Sequence, residues 1–187
     1  MKRLFLSLFL VLSACLAFPQ SSNRTIGDAC HTRGYRGFID FGGAIGTGGA
    51  DGVLSLTTSH GYQVVPYFYV GAGLSLDYHF IYGTFLPIFA NARVNFINNY
   101  ITPFFDVKVG YSPIGSGVYF SPTIGVDYSM NRNIGLTFSL GYQMQGADID
   151  QETWYYYGGW YGGYGDYSSS TVKENLGGVV MKFGVHF

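Results

Sequence analysis

The chain has 187 residues, enough for one domain of ordinary size, and its 48% hydrophobic content excludes a disordered polymer. Only 11% of the residues are charged, whereas a soluble domain typically carries about 25%, so the chain lacks the charge needed to cover a water-facing surface. The formal net charge of −1 gives no basis for binding nucleic acid.

Residues 1–20 are predicted to be a secretory signal peptide, which is left out of the fold. Lys2 and Arg3 precede an apolar run, Leu4–Val11, and small residues follow this run, which is the order that such signals have. Residues 21–33 are then predicted to form a short periplasmic segment ahead of the folded domain.

The signal segment contains one of the two cysteines. Leu12–Cys15 resembles a bacterial lipobox, in which Cys15 would carry the lipid as the first residue of the mature protein, and cleavage between Ala17 and Gln20 is the alternative. If Cys15 leaves with the signal, Cys30 is left as a single thiol that can form no internal disulfide.

Eight later segments alternate between apolar and polar residues with period two. Each is about ten residues long or slightly longer, which suits a tilted strand that crosses a bilayer. They lie at 34–46, 52–63, 65–78, 85–96, 101–112, 117–128, 133–145 and 176–187. Because no apolar stretch of about twenty residues follows the signal, a lipid-facing chain must close its strands into a barrel. We predict an all-β fold: a closed eight-stranded antiparallel up-and-down transmembrane β-barrel over residues 34–187.

Charged residues within these segments test which face meets lipid. The eight are Arg36, Asp40, Asp77, Arg93, Asp106, Lys108, Asp127 and Lys182, and each has the parity opposite to the apolar face of its strand. A Lys or Arg that faced lipid at the midplane would cost about 2–4 kcal/mol. Because eight strands enclose an interior that side chains can fill, and buried charges persist when partnered, we predict an interior charge network that closes the lumen.

Aromatic residues of the outward parity gather at strand ends, where rings prefer the lipid headgroup level. One predicted girdle contains Tyr35, Tyr62, Phe96, Tyr128 and Phe187, and the other contains Tyr78, Tyr111 and Tyr142. Inward glycines such as Gly71, Gly73, Gly110, Gly125 and Gly141 are predicted to make room for inward Tyr67, Tyr69, Phe89 and Tyr119.

The connections follow from an even number of strands. Short periplasmic turns are predicted near 63–64, 97–100 and 129–132, and outer loops at 47–51, 79–84, 113–116 and 146–175. The last of these is about thirty residues long and has no strand pattern. Pro122 lies inside the sixth segment, where it predicts a bulge or a locally broken hydrogen bond, because proline cannot donate to a ladder.

The long loop is the main candidate for a contact site. Its aromatic residues are Trp154, Tyr155, Tyr156, Tyr157, Trp160, Tyr161, Tyr164 and Tyr167, spaced by glycines and followed by serines. This mixture is typical of binding loops, because rigid rings give contact area at low entropic cost. A low-complexity loop that merely continues the outer girdle is the alternative. Acidic residues nearby match no calcium motif, and no metal-ligand spacing or phosphate-binding loop occurs, so no metal or cofactor is predicted.

Three stretches resemble porin-like barrel proteins of Bacteroidetes, and the chain as a whole resembles small OmpX-like outer-membrane barrels of Gram-negative bacteria. The stretches are Pro66–Gly73, Leu86–Val94 and Pro103–Tyr111. The resemblance implies a place in the outer membrane, in contact with membrane lipid and lipopolysaccharide. It also implies that the terminal Phe187 is read as a signal by the outer-membrane assembly machinery.

Three functions follow as hypotheses. The first is a structural barrel whose long loop contacts an extracellular glycan or protein, and the second is a narrow porin-like channel for small solutes. The third is a lipid-modifying enzyme, which the sequence supports poorly: Ser59 and His60 are adjacent, so in a strand they point to opposite faces, and their predicted end of the barrel is periplasmic. No catalytic residue is predicted.

Overall fold

The computed structural model describes residues 32–46, 52–114, 116–130, 134–157 and 164–187, and for 148–157 and 164–174 it describes the backbone alone. These ranges contain nine strands: β1 (Gly34–Gly46), β2 (Gly52–Val65), β3 (Phe68–His79), β4 (Gly83–Phe85), β5 (Ile88–Asn95), β6 (Ile101–Ser112), β7 (Gly117–Ser129), β8 (Gly135–Tyr157) and β9 (Tyr164–His186). Among the described residues no helix is long and apolar enough to cross a membrane.

The strands form one closed antiparallel ring. Their order is β2-β1-β9-β8-β7-β6-β5-β3-β4, and β2 also pairs with β3. Because β3 pairs with both β4 and β5, these two count as one barrel strand, and the ring has eight. At the seam between β1 and β9, Gly37 and Phe187 exchange two backbone hydrogen bonds of 2.7 and 2.9 Å. The predicted all-β fold, a closed eight-stranded antiparallel barrel, is confirmed.

The first turn lies later than predicted. The sequence suggested a turn near 63–64, but β2 runs to Val65 and the turn is formed by Pro66 and Tyr67. The Gln63 side-chain amide donates to the carbonyl oxygens of Val65 and Pro66, at 2.8 and 3.2 Å, which holds the turn there. Tyr67 was predicted to point inward; this is wrong, since its side chain is 52% exposed at the turn.

The fourth predicted segment, 85–96, is interrupted at Leu86 and Pro87. Pro87 has no N–H to donate to a neighbouring strand, although its carbonyl oxygen still accepts from the backbone N–H of Ser75 at 2.9 Å. The Leu86 N–H donates instead to the hydroxyl of Ser112, at 3.2 Å. The break therefore leaves these backbone groups paired.

Pro122 interrupts the sheet on one side of its strand. Pairing with β6 continues through Val107 and Pro122, whereas the β7–β8 pairing passes from Phe120↔Met144 to Thr123↔Gly141. The register is the same on both sides of this gap, so the interruption contains no bulge. The prediction of a local break in hydrogen bonding is confirmed, on the side that faces β8.

The largest difference from the sequence prediction is the segment 146–175. It was predicted as a loop without strand pattern, but β8 and β9 pair in one register from Gly135↔His186 to Tyr157↔Tyr164. Pairing with β7 ends at Gln145, and pairing with β1 ends at Gly178, so beyond these points the two strands form a two-stranded hairpin. Its paired length is roughly 35 Å at about 3.4 Å per residue. We call it the β8–β9 hairpin, and the end of the barrel that bears it the hairpin end; Gly34 and Phe187 lie at the opposite, terminal end.

The two faces of the barrel wall differ as predicted. Large apolar residues such as Phe41, Leu76 and Ile124 are exposed on the outside, while the alternate positions are buried inside. Seven of the predicted girdle residues are exposed: Tyr35, Tyr62, Phe96, Tyr128, Tyr78, Tyr111 and Tyr142. The eighth, Phe187, is partly buried because its ring packs against Gly37 and lies edge-on to His60.

Inward glycines determine how tightly the wall packs. At Gly110 an added Cβ would overlap the carbonyl oxygen of Ile88 and lie 2.6 Å from the Cα of Phe89, and both are backbone atoms that cannot turn away. At Gly43, an outward position, the nearest atom is the carbonyl oxygen of Val53 at 3.1 Å.

Replacing Gly110 with alanine is therefore expected to lower the free energy of unfolding by about 1–3 kcal/mol, the usual cost of overpacking. The matched Gly43→Ala variant should lose clearly less. Denaturant titration of both variants refolded into lipid vesicles measures the difference, and equal losses would contradict this account of the inward glycines.

Candidate functional site: the barrel interior and the hairpin

All eight predicted interior charges lie inside the barrel, each at most 6% exposed. They share the interior with polar side chains that lie outside the predicted charge network: Ser55, Thr57, Ser59, Ser75, Asn91, Thr123, Gln143 and His186. The signal for these residues was available, because each lies on the inward parity of its strand. The predicted network left them out because it was built from the charged residues alone.

Three of the charges form one ion cluster. Asp106 Oδ2 lies 2.5 Å from Lys108 Nζ and 3.5 Å from Arg93 Nη2. Arg93 and Asp106 are direct cross-strand partners on β5 and β6, while Lys108 follows Asp106 by two residues on the same face. One carboxylate thus holds two cations in the interior.

Arg93 also forms a bridge across the lumen. Its guanidinium carbon lies 4.0 Å from the ring centre of Phe38 and 4.0 Å from that of Phe104. Phe38 is on β1 and Phe104 on β6, which are separated by three barrel strands in each direction. The stack therefore joins opposite walls, and cation–π attraction at a desolvated site stabilises it. We call this stack the ring bridge.

A second bridge joins β3 to β8, another pair on opposite walls. The Gln143 side-chain amide donates to Asp77 Oδ2 at 2.8 Å, and the Ser75 hydroxyl donates to Asp77 Oδ1 at 2.5 Å. Ser75 is hydrogen-bonded to Thr57 at 2.9 Å, and Lys182 Nζ donates to Thr57 at 3.4 Å. Asp77 and Lys182 were expected in a paired network; two hydroxyl groups connect them. We call the Asp77–Gln143 contact the amide bridge.

The remaining interior charges lie toward the terminal end. Asp127 is 3.0 Å from the Nδ1 atom of His186, and Thr137 donates to Asp40 at 3.1 Å. Arg36 is buried on β1, close to the same end. The interior is thus filled by charged and polar side chains, several of which are paired with one another, together with the buried rings of Tyr69, Phe89 and Tyr119.

A polar cluster also exists on the outer surface. His60 accepts or donates a hydrogen bond through Nδ1 to the Tyr35 hydroxyl at 2.6 Å, and through Nε2 to the Thr58 hydroxyl at 3.0 Å. Ser59, its sequence neighbour, is 1% exposed and faces the lumen, as alternation predicts. Both imidazole nitrogens are therefore engaged by neighbours that lie on the surface with them.

The β8–β9 hairpin carries six of the eight predicted contact residues at defined register positions. Trp154 is opposite Tyr167 and Tyr157 is opposite Tyr164, while Tyr155 and Tyr156 are opposite Asp166 and Gly165. Trp160 and Tyr161 lie outside the described residues, as does the predicted lipidation site Cys15. In the ranges that the structure describes, no group of three or more His, Cys, Asp or Glu side chains could hold a metal ion.

Comparison with solved structures adds an informative match. The chain superposes on neisserial surface protein A, NspA, with a TM-score of 0.52 at 12% identity, over 81% of this chain and 95% of that one. The two proteins share a fold. A weaker match, to the KdgM porin, has a TM-score of 0.31 at 11% identity over 80% of this chain and 98% of that one, too low to indicate a common fold. No protein-family model and no curated protein matches the chain.

The ion cluster predicts which of two substitutions lowers the free energy of unfolding more. Replacing Asp106 with asparagine leaves Arg93 and Lys108 as two buried cations without their carboxylate, so we expect a loss of about 3–5 kcal/mol in the free energy of unfolding. Replacing Arg93 with methionine keeps the Lys108–Asp106 pair and most of the side-chain volume, and should cost less. Denaturant titration of the two variants ranks them, and the reverse order would contradict the geometry of the cluster.

Proposed function

We propose that this chain is an integral β-barrel of a Gram-negative outer membrane with a closed lumen, and that its β8–β9 hairpin contacts a partner outside the cell. The observation that carries the proposal is the pair of bridges across the lumen, at Phe38–Arg93–Phe104 and at Asp77–Gln143. A barrel whose opposite walls are bridged twice has no open path for solutes, which supports a structural role in the membrane over a channel.

The outer surface supports the membrane location. Residues such as Ile45, Ile88 and Phe183 are more than half exposed, and a belt of this kind would be an aggregation hazard in water. The backbone groups of a closed barrel are paired between strands, which is what a spanning segment requires in lipid. The exposed tyrosines at both strand ends fit the two interfacial girdles of such proteins.

The orientation follows from the terminal end. An outer-membrane barrel with an even number of strands has both chain ends in the periplasm, which puts the β8–β9 hairpin on the cell surface. Phe187, whose backbone pairs with Gly37 at the seam, fits the role of a terminal signal for the assembly machinery. We therefore expect that deletion of Phe187 leaves export intact and abolishes assembly of the protein in the outer membrane.

The hairpin is the part that would make contacts outside the cell. Its paired strands raise a Tyr- and Trp-rich tip beyond the wall of the barrel, where Trp154 and Tyr167 are cross-strand neighbours. Rings of this kind stack on sugars and pack against protein surfaces at low entropic cost. A glycan or an extracellular protein is therefore the proposed class of partner.

The alternatives have less support. A channel would need a continuous water path, and the ring bridge and the amide bridge both cross it. A lipid-modifying enzyme would need a nucleophile activated by a base and donors for the developing oxyanion. On the outer surface, both ring nitrogens of His60 are hydrogen-bonded, one to Tyr35 and the other to Thr58. The backbone of Thr58 belongs to the β1–β2 and β2–β3 pairings, so it is part of the sheet and not of a site for an oxyanion.

Planar-bilayer recording tests the closed lumen. The wild-type protein is expected to form no stable channels, whereas the Phe38→Ala, Phe104→Ala, Gln143→Ala triple variant removes both bridges and should conduct. A matched control replaces the outward Phe41 and Phe105 with alanine and should stay silent. Stable channels formed by the wild-type protein, and formed equally by a variant that lacks residues 146–175, would overturn the closed-lumen proposal.

A binding assay tests the hairpin. Replacing Trp154, Tyr155, Tyr156 and Tyr157 with serine should reduce binding of barrel-bearing vesicles to their partner at least tenfold, on a panel of immobilised glycans and matrix proteins. The control replaces Ser168, Ser169 and Ser170 with alanine and should bind as wild type does. Both variants must keep the heat-dependent gel shift of a folded barrel; equal binding by the two would count against the aromatic tip.

A further inference from the structure

Several buried polar atoms in the interior form a group without partners. In the described part of the chain, no hydrogen bond reaches Arg93 Nε, Arg93 Nη1, Asp106 Oδ1, Asn91 Oδ1 or Thr123 Oγ1. Their four residues are each at most 3% exposed. These atoms are clustered, since Arg93 pairs with Asp106, and Asp106 with Thr123, across β5, β6 and β7. Asn91 precedes Arg93 by two residues on the same face of β5.

The ring bridge explains why Arg93 has unused donors. Its guanidinium carbon lies over the rings of Phe38 and Phe104, so these two neighbours present ring faces and no oxygen or nitrogen acceptor to its five N–H groups. Only Nη2 approaches Asp106, and at 3.5 Å this is a long contact. Nε and Nη1 are buried and have no hydrogen-bond acceptor among the described side chains, so they need a partner from the space between the strands.

Leaving such atoms unpaired is too costly for a stable fold. Each buried unpaired donor or acceptor costs about 1–3 kcal/mol, and more when it belongs to a charged group. Domains are stable by only about 5–15 kcal/mol in total. Native proteins meet this need with internal water, which makes about three hydrogen bonds and binds where several polar atoms converge.

The chemistry of the group selects water over an ion. Arg93 supplies donors only, Asp106 supplies an acceptor only, and the Thr123 hydroxyl serves as either, so the occupant must both donate and accept. A small anion would face the Asp106 carboxylate at close range. The predicted interior charges already balance, with Arg36, Arg93, Lys108 and Lys182 against Asp40, Asp77, Asp106 and Asp127, so there is no excess positive charge for an anion to neutralise.

We propose that about two water molecules are bound inside the barrel between β5, β6 and β7, each bridging Arg93 to Asp106, Asn91 or Thr123. This site is independent of the hairpin and its partner. The bound waters replace part of the hydration that Arg93, Asp106 and Lys108 lose on burial. The interior is closed to solutes and holds bound water at this position.

A crystal structure of the refolded wild-type barrel, grown in sodium bromide with data collected at the bromine edge, tests the site. We expect ordered solvent within about 3 Å of Arg93 Nε or Nη1 and of an Asp106, Asn91 or Thr123 oxygen, with no anomalous peak there. An anomalous bromide peak would overturn the proposal in favour of an anion. Direct pairing among these side chains, without solvent between them, would overturn it as well.

A pair of threonine variants gives a second measurement in solution. Thr137 donates to Asp40, so Thr137→Val removes a hydrogen bond between two protein groups and should lower the denaturation midpoint. Thr123→Val has the same change in shape but only releases a water contact, so its midpoint should move less. A larger shift for Thr123→Val would mean that its hydroxyl binds a protein group, contrary to the proposal.

Discussion

Complete pairing of the backbone between strands is the constraint on which the rest of the structure depends. The exposed belt of apolar side chains suits lipid, and lipid offers no partner to an N–H or a C=O. Closure at the β1–β9 seam, where Gly37 and Phe187 exchange hydrogen bonds, removes the edges that an open sheet would expose. Where proline prevents pairing, as at Pro87, the neighbouring groups find other partners nearby.

Closure with eight strands in turn dictates the interior. A ring of this size leaves space for side chains and little else, so rings lie over glycines: Tyr69 over Gly71, Phe89 over Gly73 and Phe104 over Gly125. The charges that cannot face lipid are confined to the same space. The narrow lumen brings these charges close to one another. Their contacts in the Arg93–Asp106–Lys108 cluster and in the amide bridge therefore depend on the width of the barrel as well as on their positions in the sequence.

Much of this could be predicted from the sequence, because the outer and inner faces of the barrel wall impose opposite demands on successive residues. Alternation identified all eight barrel strands and the inward side of each charge, including Lys182. Partners across the lumen could not be predicted in the same way, since Asp77 and Gln143 are 66 residues apart and meet only once the ring is closed. Likewise, the turn at Pro66 depends on a hydrogen bond from the Gln63 side chain, and the alternation of apolar and polar residues gives no sign of such a bond.

The sequence analysis did not predict the β8–β9 hairpin, because its strands lie outside the barrel wall. Beyond Gln145 and Gly178 the strands have left the barrel wall, so neither face is required to be apolar and period two disappears from the sequence. The residues there, including Thr153, Trp154 and Tyr155, still favour strands by their own propensity. Such a segment is recognised by its strand propensity and not by alternation, and the barrel fixes the base from which its two paired strands extend.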